Sequence, residues 1–99
     1  MGRSLASQRF AQPQGVMVRQ LDDESILLDL ETGHYYGLDD VGTRLYEILV
    51  TSPSLEAAHA QALEEFEVTA EVLQADLSAL ASRLVEEGLL EEHDVTATP

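Results

Sequence analysis

The hydrophobic pattern of this chain changes period once, at Leu38 and Asp39, and that change limits the folds open to it. Before it, apolar residues come in strand-length runs separated by turn residues. Residues 16–21 (VMVRQL) are one run, 25–30 (SILLDL) a second, and 34–37 (HYYG) a short aromatic third. Residues 22–25 (DDES) make a polar turn between the first two. Residues 31–34 (ETGH) make a tight turn before the third, with Gly33 free to take a positive φ. Three short strands joined by tight turns read as an antiparallel meander. Tyr35 and Tyr36 suit a pleated, half-buried surface.

After Leu38 the period is helical. Asp39 or Asp40 can cap a helix whose face is Val41, Leu45, Ile48 and Leu49, with Gly42 a weak point that favours close packing. Either Ser52, with Pro53 in the first turn, or Ser54 starts a second helix with the face Leu55, Ala58, Ala62, Leu63 and Phe66. Thr69 caps a third, from about residue 70 to 87. Its core stripe is Leu73, Leu77, Leu80 and Leu84, with Val72, Asp76, Ala79 and Arg83 on the adjacent flank. Gly88 suits the left-handed position that ends it, and Leu89 can close the cap. Leu38, Leu45, Leu49, Phe66, Leu77 and Leu84 read as core. The fold class is α+β: a winged helix-turn-helix-like domain, a three-stranded antiparallel sheet followed by three helices packed together and against one face of the sheet. The domain is expected at residues 15–92, between a flexible arm at 1–14 and a tail at 93–99.

Such an element order ordinarily suggests DNA binding, and charge argues against it. Nineteen acids stand against five arginines and no lysine, for a net charge of −14. The arginines are uneven too. Residues 1–21 hold three and no acid (+3), and the rest hold two against all nineteen acids (−17). A recognition helix must offer cations to phosphates and Arg, Lys, Asn or Gln to base edges. The third helix offers Glu71, Asp76, Glu86 and Glu87 against Arg83 alone. Nucleic acid and anionic membrane surfaces are therefore not the expected partners.

Catalytic signatures are lacking as well. Without cysteine there is no disulfide scaffold, thiol nucleophile or thiolate metal site. His34, His59 and His93 show no compact zinc spacing. There is no strand–turn–helix nucleophile elbow and no Gly-rich phosphate loop. No signal-peptide h-region or bilayer-length apolar run is present, so the expected location is cytoplasmic. The chain reads as non-enzymatic, with no cofactor.

Three stretches carry a resemblance. They are ILLDLETGHYYGLD at 26–39, VGTRLYEIL at 41–49, and LQADL at 73–77 with EGLL at 87–90. Together they resemble the PqqD-like proteins, recognition elements for the precursors of ribosomally synthesised, post-translationally modified peptides. The small, free-standing, acidic form is most similar to the B1 recognition proteins of lasso-peptide biosynthesis. The resemblance implies that a precursor's leader segment adds as an antiparallel strand to the edge of the third strand, in a cleft beside the third helix. On this sequence the edge is Gly33, His34, Tyr35, Tyr36, Gly37 and Leu38, and the helix wall is Val72, Asp76, Leu77, Leu80 and Arg83. It also implies two partners, a leader-cleaving cysteine protease (B2-type) and an ATP-dependent lactam synthetase.

The residues alone leave alternatives open. Tyr35 and Tyr36 point to opposite faces, so one is core and the other free for a ligand. Asp76 either takes a leader cation or hydroxyl, or is a solvated edge residue, or pairs with Arg44 or Arg83. Glu86, Glu87, Glu91, Glu92 and Asp94 are either a solvated end or a docking site for a basic enzyme. The chain as a whole could instead be a peptide chaperone in a radical-enzyme pathway, a winged-helix regulator or an acidic DNA mimic.

Overall fold

The computed structural model describes residues 8–94. Within them eight elements follow in order: strands β1 (Gln8–Ala11), β2 (Val16–Leu21), β3 (Glu24–Asp29) and β4 (Tyr35–Leu38), helices α1 (Asp40–Thr51), α2 (Leu55–Glu65) and α3 (Ala70–Glu86), and strand β5 (Glu91–Asp94). Strands β2, β3 and β4 form an antiparallel sheet in that order, so the expected meander and three helices are present. The observed fold class is α+β.

The β3–β4 turn forms because Asp29 holds it from both ends. Its carboxylate accepts from the backbone N–H of Glu31 at 3.0 Å, and its carbonyl from that of Gly33 at 2.8 Å, with Gly33 at φ +77°. The helix starts follow their caps. Asp39 accepts from Gly42 N–H, Ser54 from Ala57 N–H and Thr69 from Val72 N–H. Of the alternatives open in the sequence, Asp39 and Ser54 are the ones used. At the end of α3, Gly88 takes φ +77°. Leu89 N–H then donates to the Leu84 carbonyl at 2.8 Å, and Gly88 N–H to the Val85 carbonyl at 3.1 Å. This is a Schellman cap, and it sends Leu89 and Leu90 into the core.

Helix α1 is the centre of the molecule. It contacts β1, β3, β4, α2 and α3. Leu45, Tyr46, Ile48 and Leu49 are buried under the inner sheet face, whose Leu27 and Leu38 are buried in turn. Val41, expected on that helix's apolar face, is instead exposed. Phe66 is only partly buried, packed against the core rather than in it. Ser25 and Thr43 share a buried hydrogen bond of 2.8 Å between β3 and α1. Burial pushes the Tyr46 hydroxyl's pKa up to about 12. That hydroxyl donates to the Leu89 carbonyl at 3.3 Å, tying α1 to the segment after α3.

A second, two-stranded sheet was not anticipated. Strand β1 pairs antiparallel with β5, from Gln8 opposite Asp94 to Ala11 opposite Glu91. Residues 8–11, read from sequence as part of a flexible arm, are thus a strand whose Gln8 and Phe10 are buried against the helices. His93 and Asp94, read as tail, pair with that strand; residues 1–7 and 95–99 lie outside the described residues. Four residues are too few to show a period, and the partner lies at the other end of the chain.

Candidate functional site

Among the described residues strand β4 is an edge strand, hydrogen-bonded to β3 alone. The pairing sets which of its backbone groups are free. Asp29 N–H donates to the His34 carbonyl at 2.8 Å, and the register continues as Leu27 opposite Tyr36 and Ser25 opposite Leu38. In an antiparallel ladder, hydrogen-bonded residues alternate with those whose groups point away. His34 therefore turns its carbonyl, and Tyr36 and Leu38 their backbone groups, toward β3. Tyr35 and Gly37 turn theirs outward, to the open edge.

Side chains alternate as well. Tyr36 and Leu38 lie on the inner face, half-buried and buried; Tyr35 and Gly37 lie on the outer face, where Tyr35 is 63% exposed. Of the two tyrosines, Tyr36 is the inward one. Its ring has the Arg83 guanidinium over it, 6.0 Å from the centroid. Next to it, His34 Nε2 lies 2.8 Å from Glu87 Oε1. The two contacts also give direction. Passing from His34 to Tyr36 on the strand matches passing from Glu87 back to Arg83 on the helix, so β4 and α3 run antiparallel. The steps agree, since two strand residues and four helical residues each advance roughly 6–7 Å.

The same spacing carries the wall onward. At 100° per residue, positions 87, 83, 80, 76 and 72 fall within an arc of about 80° on one side of α3. Arg83 and Glu87 reach across to β4. Leu80 follows at about the level of Leu38, and Asp76 and Val72 continue that flank past the end of the strand. Leu80 is half-buried, while Asp76 and Val72 are exposed. The expected wall residue Leu77 lies off this arc and is 1% exposed, so it is core behind the wall. Among the described residues Asp76 forms no ion pair. Arg44, one of its imagined partners, is bound to Glu65 and Glu47 instead. The structure thus brings Tyr36 to Arg83 and His34 to Glu87; Leu80, Asp76 and Val72 share the flank of α3 with Arg83, and Tyr35 and Gly37 supply the open strand edge. Gly33 stays in the turn below.

Glu87 had been grouped with a solvated acidic end. Its place on the flank was readable from its spacing to Arg83 and Leu80. Sequence reasoning also passed over the outer sheet face. There Met17, Arg19, Leu21, Ile26, Leu28 and Tyr35 line a shallow hollow of about 310 Å³.

This arrangement suits an extended peptide. The open edge offers an N–H and a carbonyl from each of Tyr35 and Gly37, which satisfy a strand without reading its side chains. The α3 flank meets those side chains of the added strand that project inward. Among the described residues no three His, Asp or Glu side chains cluster as metal ligands, and no helix is long and apolar enough to cross a membrane.

Comparison with known proteins agrees with this geometry. The sequence profile of the family described as Coenzyme PQQ synthesis protein D (PqqD) matches residues 24–90. No curated protein matches the chain. Two solved structures are similar to it. One is TbiB1 in complex with the TbiA(beta) leader peptide, at 32% identity over 82% of this chain and 94% of that one, with a TM-score of 0.75. The other is a lasso peptide synthetase B1 complexed with the leader peptide, at 26% identity over 84% of this chain and 98% of that one, also with a TM-score of 0.75.

Proposed function

We propose, from the premise that the chain belongs to the PqqD family, that it is a non-catalytic adaptor for a lasso-type precursor peptide. It takes the leader as a fourth strand on β4 and presents the attached core peptide to a leader-cleaving cysteine protease and an ATP-dependent lactam synthetase. The observation that carries this reading is the open β4 edge beside α3, where Arg83 lies over Tyr36 and half-buried Leu80 follows on the same flank. Both similar structures hold a leader peptide. Their B1 identity favours a lasso precursor over the radical-enzyme alternative. The acids along the helices favour a peptide over DNA.

The register gives each leader residue its direction. Residues opposite Tyr35 and Gly37 would exchange backbone hydrogen bonds and point outward. The residue between them, beside Tyr36, would point inward at the α3 flank. An apolar or aromatic anchor there would rest on Leu80 and the Tyr36 ring. Calorimetry with a synthetic leader, taken from the short precursor gene beside this one, tests the reading. Saturable one-to-one binding with a negative heat-capacity change is expected; no binding overturns it.

A further inference from the structure

Two of the described side-chain contacts join the β4 segment to α3, and they differ in kind. One is Arg83 over the Tyr36 ring, and arginine stays charged across the working pH range. The other is His34 on Glu87, and histidine is the side chain that changes charge between pH 5 and 8. The 2.8 Å contact between them is a plain hydrogen bond in one state and an ion pair in the other. His34 is 49% exposed and Glu87 38%, so in the peptide-free domain the pair contributes little.

Its position gives it more weight once a peptide is bound. His34 leads into the open strand, and Glu87 is the C-cap of α3. The cap bonds that follow, at Gly88 and Leu89, fix the backbone that carries the Glu87 carboxylate. A strand added to Tyr35 and Gly37 sets its inward side chains beside those of His34 and Tyr36, about 5 Å away. The leader residue opposite His34 therefore removes water from the contact. Burial then separates the two states. Beside a neutral imidazole the leader would cover an unpaired carboxylate charge; beside imidazolium the same charge is paired.

The surrounding charges act in the same sense. Asp29 and Glu31 stand in the turn that ends at His34. Glu91, which also lies 3.3 Å from His93, shares a hollow with them and with Gly88. The rest of that hollow, Pro13 to Val16, carries no charge. Against these acids and Glu87 itself stands Arg83, one turn back on α3.

We propose that His34 and Glu87 are a positioning pair for the leader, closing to an ion pair under the bound strand so that the adaptor takes up a proton as it takes up its peptide. The pair pins the turn end of β4 against the end of α3. The proposal rests on the leader-binding reading above. Its sign follows from linkage: protons taken up on binding make affinity greatest where His34 is charged, and affinity falls as pH rises through the histidine range.

Calorimetry with an acetylated, histidine-free form of the synthetic leader tests this. In buffers of different ionisation enthalpy at pH 7, the unsubstituted protein should take up about 0.2–0.5 proton per leader bound. Its affinity should be about three- to tenfold higher at pH 5.5 than at pH 8. His34→Gln should flatten that profile and remove most of the uptake, although His59 and His93 remain to titrate. Glu87→Gln should do the same, and it serves alone if His34→Gln fails to fold. A structural role by itself would lower affinity equally at every pH. Proton uptake that survives both substitutions, or affinity independent of pH in the unsubstituted protein, overturns the proposal and leaves leader binding standing. Absence of leader binding at every pH defeats the leader reading, and this proposal with it.

Discussion

Tyr36 and Gly37 are neighbours on one strand, and the register gives them opposite duties. Gly37 directs its N–H to the open edge, whereas Tyr36 directs its own into the ladder with Leu27. Gly37→Pro should therefore remove one donor for the peptide and leave the sheet paired. Leader affinity is expected to drop about tenfold or more by calorimetry, with thermal unfolding nearly unchanged. Tyr36→Pro should lose a ladder hydrogen bond and the ring beneath Arg83, so its melting temperature should fall sharply. Equal loss of leader affinity in both variants, with both equally stable, would contradict the assigned register. Sequence alone showed that the two tyrosines face opposite ways. It could not show which faces inward, because that depends on the phase set by Asp29 and His34 at the turn.

At the scale of elements, the helices were legible and the terminal strands were not. Helix ends have local chemistry: a side-chain oxygen at Asp39, Ser54 and Thr69, and a left-handed glycine at Gly88. Strand β1 owes its existence to β5 more than eighty residues away, and no local rule encodes that pairing. The cleft was half legible. The edge residues and flank period were readable, but the reading put Leu77 in both core and wall, and the fold keeps it in the core alone, because stripe and flank differ by less than one helical step.

Charge also ties α1 to α2. Arg44 on α1 makes two 2.7 Å hydrogen bonds to the Glu65 carboxylate at the end of α2. This holds the Glu65 carboxyl below its ordinary pKa and raises that of Arg44. A depressed carboxyl contributes stability above its unfolded pKa and loses it as pH falls through the folded one. The pair is exposed, so the effect is small. Glu65→Gln should lower the melting temperature slightly at neutral pH, and the gap from the unsubstituted protein should close below about pH 4. A gap independent of pH would assign the effect to packing.

The whole molecule carries its −14 in a body little more than 13 Å in radius of gyration, so its acids repel one another. Raising salt from about 20 mM to about 500 mM shortens the Debye length several-fold. The melting temperature should rise across that range. Leader affinity should fall if leader cations meet Asp76 and the other acids along α3. The two trends have opposite signs, which separates them from any general salt effect on folding. Thermal melts and calorimetry on the same samples check both, and affinity that does not change would restrict the acids to a role in solubility.

The β1–β5 pairing has an architectural consequence. Gln8 and Asp94 stand opposite one another on adjacent strands. The path into the domain and the path out of it are therefore separated by about 5 Å, one strand spacing. A module built this way can be spliced into a surface loop of a larger enzyme with little distortion of the host, because both junctions fit where one loop residue stood. The ribbon thus makes the domain portable, able to serve as a separate peptide carrier or as a graft.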